Sequence, residues 1–146
     1  MNRALLYRFV AESNRIEGIE RVTEEEIRAT EFFRTLGYLE VKDVVDLVKV
    51  CQPDAVLRDV PGLNVRVGNH VPPPSGPHIL ANLESILMTA NQGICTPYQV
   101  HVRYETLYPF TDGNGRSGRA IWLWQMRDAP LGFLRQWYYQ SLQAAR

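Results

Sequence analysis

The sequence predicts an all-α domain that carries one short β-hairpin. Three observations lead there. Apolar residues recur at helical spacing over most of the 146 residues. Helix start and stop signals bracket those stretches. One segment alone, residues 63–72, alternates apolar and polar side chains before a turn and three prolines.

The elements follow in order. Residues 3–13 place Leu5, Leu6, Phe9 and Val10 on one helical face. Thr23 followed by Glu26 is a capping box, and Glu24 and Glu25 also suit a helix start. That helix runs through Ile27, Phe32 and Phe33 to a stop near Gly37. Residues 41–51 repeat Val44, Val45, Leu47 and Val48 and end before Pro53. Residues 79–91 are apolar at Ile79, Leu80, Leu83, Ile86, Leu87 and Ala90. Thr96-Pro97 is an N-cap with proline at the first helical position, opening a helix through Tyr108. Residues 116–127 form the next helix, broken by Pro130, and 131–145 the last. Leu63, Val65 and Val67 alternate with Asn64 and Arg66, and Gly68-Asn69 makes the turn. Pro72, Pro73 and Pro74 close the hairpin because they cannot donate to a ladder. No linker or repeat divides the chain, so residues 1–146 read as a single domain of ordinary size.

Lys+Arg and Asp+Glu balance at 16 each. No global field therefore draws the chain to nucleic acid or to a membrane surface. No secretory or membrane-length apolar run occurs in these residues, which places the chain in the cytoplasm with Cys51 and Cys95 reduced and packed in the core. Trp122, Trp124, Trp137, Tyr138 and Tyr139 read as an aromatic core stripe. Self-association into a homo-oligomer is also compatible with the sequence.

Residues 108–119 carry the chemistry. Gly113 and Gly115 flank Asn114, so the backbone can take positive φ and approach a ligand closely. Successive N–H groups ahead of a helix start form an anion site. Arg116 and Arg119 share a face of that helix. Asp112 is a hard oxygen ligand suited to Mg²⁺ on a di- or triphosphate. Backbone, carboxylate and guanidiniums together suggest a nucleotide.

The run Tyr-Pro-Phe-Thr-Asp-Gly-Asn-Gly-Arg-Ser-Gly-Arg resembles the signature of Fic-domain proteins, His-Pro-Phe-x-Asp/Glu-Gly-Asn-Gly-Arg-x-x-Arg. The first position departs, with Tyr108 in place of histidine. Residues 101–107 resemble the helix before that loop, and 63–72 the family's flap. Ser13-Asn14-Arg15-Ile16-Glu17-Gly18 resembles its inhibitory motif, Ser/Thr-x-x-x-Glu-Gly/Asn, here within residues 1–20. Taken alone, Ser13 and Glu17 are an ordinary i,i+4 helical pair.

The resemblance implies transfer of AMP from ATP to a hydroxyl (Ser, Thr or Tyr) of a target protein. It implies that Gly113, Asn114 and Gly115 hold the α- and β-phosphates, Asp112 binds Mg²⁺, and Arg116 and Arg119 hold the β- and γ-phosphates. It also implies that Glu17 pairs with Arg119 and excludes a productive γ-phosphate, and that Val65, Arg66 and Val67 dock the target peptide as an added strand. In the family the histidine is the general base. A phenol titrates near pH 10, so about one in a thousand is ionised at pH 7. Nearby arginines and Mg²⁺ are expected to lower that value, though not enough to restore a full base. His101 reads as a packed or capping residue, and His70 and His78 as surface residues. Three accounts of Tyr108 follow: a pseudoenzyme that binds nucleotide or partner, as a regulatory or antitoxin-like module; a reaction that needs no base or whose substrate hydroxyl is already acidic; or a substitution that disables an active enzyme.

Overall fold

A computed structural model of the chain describes residues 1–127 and 142–145. Six helices follow one another there: α1 Arg3–Ile16, α2 Glu24–Thr35, α3 Val41–Cys51, α4 Pro77–Asn91, α5 Pro97–Leu107 and α6 Asn114–Met126. Residues 142–145 are also helical. The all-α expectation holds. Most of the expected final helix, with Trp137, Tyr138 and Tyr139, lies outside the described residues.

Local chemistry sets the helix starts. Asn2 accepts from the Leu5 N–H and caps α1. The Thr23 hydroxyl accepts from Glu26 N–H at 3.2 Å, and Glu26 Oε2 accepts from Thr23 N–H at 2.9 Å. Thr96 and Gln99 repeat this box at α5.

Two apolar clusters meet at α6. Val44, Leu47, Ile79, Leu83, Val100, Tyr104 and Ile121 belong to the first, which joins α3, α4, α5 and α6. Leu6, Phe9, Val10, Ile27, Leu123 and Leu142 form the second, which seats α1 and α2 on α6. Close packing of α5 on α6 depends on Gly118. A Cβ there would lie 3.0 Å from the Tyr104 ring and 2.8 Å from Glu105 Oε1. Trp124 is buried and donates to Leu36 O at 2.6 Å, while Trp122 is half-buried against Tyr98 and His101. Both cysteines are unpaired and partly buried against the first cluster. Burial pushes the Cys51 thiol up to about 11.

The hairpin is smaller than the alternation predicts. Side chains do alternate, with Leu63, Val65 and Val67 half-buried and Asn64 and Arg66 exposed. Pairing stops, however, at one antiparallel bridge, Val67 with His70, closed by two 2.9 Å bonds. Extending that register would set Val65 opposite Pro72 and Leu63 opposite Pro74. Neither proline has an N–H to give, so no ladder forms. A second bridge was not anticipated. Leu57 pairs with Phe110, which ties residues 56–58 to 109–111.

Candidate anion site at the start of α6

The loop into α6 is pinned from within. Asn114 is buried, and its side chain accepts from Phe110 N–H at 2.9 Å and donates to Phe110 O at 2.8 Å. Gly113 takes φ +78°, where an L side chain is strained. Asn114→Ala would leave two buried backbone groups unpaired, so it should cost about 2 kcal/mol or more in urea denaturation. An unchanged midpoint would show that the loop does not need this bridge.

Gly115 occupies the first turn of α6. A Cβ built there would collide with Glu17 Oε1 and lie 3.0 Å from Arg119 Nη1. The space a side chain would fill is therefore held by a carboxylate, at the positive end of a helix dipole.

That carboxylate arrives through a specific helix ending. Gly18, at φ +75°, donates to Arg15 O at 2.9 Å, and Ile19 N–H donates to Asn14 O at 3.0 Å. This is a Schellman ending, with Glu17 as the C-cap and glycine just beyond it. Asn14 locks it from inside. Its amide donates to Arg21 O at 3.0 Å and to Glu26 Oε2 at 3.1 Å. Asn14 was not singled out from the sequence, because a buried amide and an exposed one look alike there.

Arg119 is 2% exposed and faces this ending. Its Nη2 donates to Glu17 Oε1 at 2.8 Å and to Ser13 O at 3.0 Å, and its Nε donates to Ser13 Oγ at 2.8 Å. Ser13, Glu17 and Arg119 are thus brought together across 106 and 102 residues of sequence.

Arg116 points elsewhere. It shares the helix with Arg119, but its Nη1 donates to Cys51 O and its Nη2 to Gln52 Oε1, both at 2.7 Å. It caps the carbonyl end of α3, where a cation is favoured. A phosphate contact from Arg116 requires those bonds to break. Gln52 carried no sequence signal for this role. Asp112 is exposed, and its Oδ1 accepts from Gly113 N–H at 2.7 Å. Among the described residues, no group of three or more His, Cys, Asp or Glu side chains gathers for a metal. A lone carboxylate still fits Mg²⁺, which is held largely by water and substrate phosphates.

Tyr108 ends α5 with φ 52° and ψ 63°, left-handed values that cost a non-glycine residue on the order of 1–2 kcal/mol. It is half-buried. Burial, then the nearby Glu105 carboxylate, push its phenol above the ordinary value, with Glu17 and Asp112 adding to them and a hydrogen bond from Asn114 opposing. This reverses the expected direction. Three carboxylates and the low-polarity surroundings outweigh any lowering by the arginines, which are engaged with protein partners.

Val65 and Arg66 make no backbone hydrogen bond among the described residues, so this short edge is open. His70 differs from the surface role expected. It is half-buried, and its Nε2–H donates to Thr106 O at 2.9 Å, tying the turn to α5. His101 is buried with its ring 4.9 Å from that of Trp122, as a packed residue should be, and His78 is exposed.

No family model and no curated protein matches the chain. The site's chemistry therefore has to come from its own geometry. That geometry offers a helix start without a side chain in the way, a buried guanidinium beside it, and a carboxylate already seated there. Among the described residues no helix is long and apolar enough to cross a membrane.

Proposed function

We propose that this chain is a Fic-type protein adenylyltransferase held in an autoinhibited state, with its base position filled by Tyr108. The observation that carries the reading is the Glu17 carboxylate over Gly115, paired with buried Arg119. A protein anion there marks a place where a phosphate could sit. ATP would supply the AMP group and a leaving pyrophosphate. Gly113 to Gly115 and Arg119 would hold its phosphates, Asp112 would hold Mg²⁺, and the open edge at Val65 and Arg66, beside bridged Val67, would present the target hydroxyl. Such transfer depends mainly on positioning and charge stabilisation. A cytoplasmic setting suits the two unpaired cysteines.

The raised phenol favours a second reading at the same site. A phenol that holds its proton more tightly is less often the phenolate able to accept one at neutral pH, so the chain would serve as a nucleotide- or partner-binding module with little turnover. The transfer reading and the nucleotide-binding form of the module both require the nucleotide. Titration calorimetry with ATP–Mg²⁺ tests them together. Glu17→Gly should tighten binding about tenfold, the worth of one charge-assisted contact, and Arg119→Ala should erase that gain. Zero coupling between positions 17 and 119 in the double-mutant cycle would sink both readings.

A further inference from the structure

Arg58 has the largest fully buried side chain among the described residues, at 0% exposure. A guanidinium so enclosed must spend its donors inside the protein. It does so on four carbonyls from two separate places. Nε donates to Tyr108 O at 2.7 Å, and Nη2 donates to Leu107 O at 3.0 Å. Nη1 donates to Pro73 O at 3.0 Å and reaches Leu63 O at 3.5 Å. The first pair are carbonyls at the end of α5, which the helix itself leaves unpaired. The second pair belong to the two arms of the loop that carries the Val67–His70 turn.

The backbone of Arg58 is fixed as well. Its N–H donates to Pro109 O at 2.8 Å, and its carbonyl accepts from Gly76 N–H at 3.0 Å. Prolines at 72 and 74 deny the two arms a ladder of their own. Arg58 supplies the cross-link that the ladder would have given, and the same planar fork grips the carbonyl of left-handed Tyr108. A lysine could not do this, because a single ammonium cannot span both pairs.

We propose that Arg58 is a positioning residue that locks the 59–76 flap to Tyr108, so that the docking edge and the residue at the base position move as one unit. Its consequence for AMP transfer rests on the function proposed above; the coupling itself does not. If a target strand pairs with Val65 to Val67, the force it exerts passes through Arg58 to the backbone that aims side chain 108.

The test uses Arg58→Lys, which keeps the charge, alongside Arg58→Met. Hydrogen exchange should show the Val67, His70 and Gly76 amides opening at least tenfold faster in Arg58→Lys, with the α4 amides unchanged. Fluorotyrosine at position 108 should shift its fluorine resonance in the same variant. In the Tyr108→His, Glu17→Gly background, Arg58→Lys should lower kcat for AMP transfer at least tenfold and leave ATP affinity by calorimetry unaltered. If that background shows no transfer at all, the proposed function fails, while exchange and fluorine shift still judge the coupling. Flap amides that do not accelerate, a fluorine resonance that stays put, or acceleration shared equally by α4 would each overturn the proposal.

Discussion

Tyr108→His combined with Glu17→Gly is expected to switch on AMP transfer, to the chain itself or to a partner, by roughly 10²–10⁴-fold, the usual worth of a general base. The reasoning begins with the proton. Burial and the carboxylates of Glu105, Glu17 and Asp112 hold the Tyr108 phenol protonated well above neutral pH. Fewer than about one phenol in a thousand is then ionised at pH 7. Imidazole titrates near pH 6.5 and is mostly a free base there. The second substitution removes the carboxylate from Arg119 and from the start of α6. Either change alone should give much less. The pH profile separates the variants further. Residual activity that needed phenolate would still be climbing about tenfold per pH unit at pH 9, below the raised phenol titration, whereas the histidine variant should level off above about pH 7. Radiolabelled ATP incorporation across these variants measures the effect. Tyr108→Phe should change little. Strong transfer by the Tyr108 protein that vanishes in Tyr108→Phe would show instead that the tyrosine has taken over a catalytic role.

Gly115→Ala should be the most damaging single-methyl change in the site. The added carbon would meet Glu17 Oε1 and lie 3.0 and 3.2 Å from the two terminal nitrogens of Arg119. It would also stand where the proposed phosphate would approach the first turn of α6. In the Glu17→Gly background, where the carboxylate is gone, the methyl still blocks that approach. ATP affinity by calorimetry should fall by about ten- to a hundredfold, the loss of one or two charge-assisted contacts. Gly37→Ala is the matched control, because a Cβ there meets nothing within 4 Å and needs no positive φ. Equal affinities for Gly115→Ala and Gly37→Ala would mean that no anion seats at the start of α6.

Much of this molecule is local in origin and could be read along the chain. Thr23 with Glu26, Thr96 with Gln99 and the apolar spacing of residues 41–51 specify helices through contacts three or four residues apart. Position in sequence is enough to place such contacts. The glycines around Asn114 likewise announce a turn into a helix, because positive φ at Gly113 is a property of one residue. Spacing alone did not show the partners of the buried cations; only the family resemblance named one such pair, Glu17 with Arg119. Arg116 and Arg119 stand three residues apart on α6, yet one caps α3 through Cys51 and Gln52 while the other meets Ser13 and Glu17 on α1. Arg58 looks like any surface arginine until the end of α5 and the loop arms close around it. The hairpin shows the same limit from the other side. Alternation correctly marks which side chains of residues 63–67 turn inward, but pairing needs donors on the opposite arm, and prolines occupy those places. Spacing along the chain reports the face a residue shows. Which group waits opposite it is settled by packing between segments as much as 106 residues apart, where the demand that every buried charge and carbonyl find a partner makes the choice.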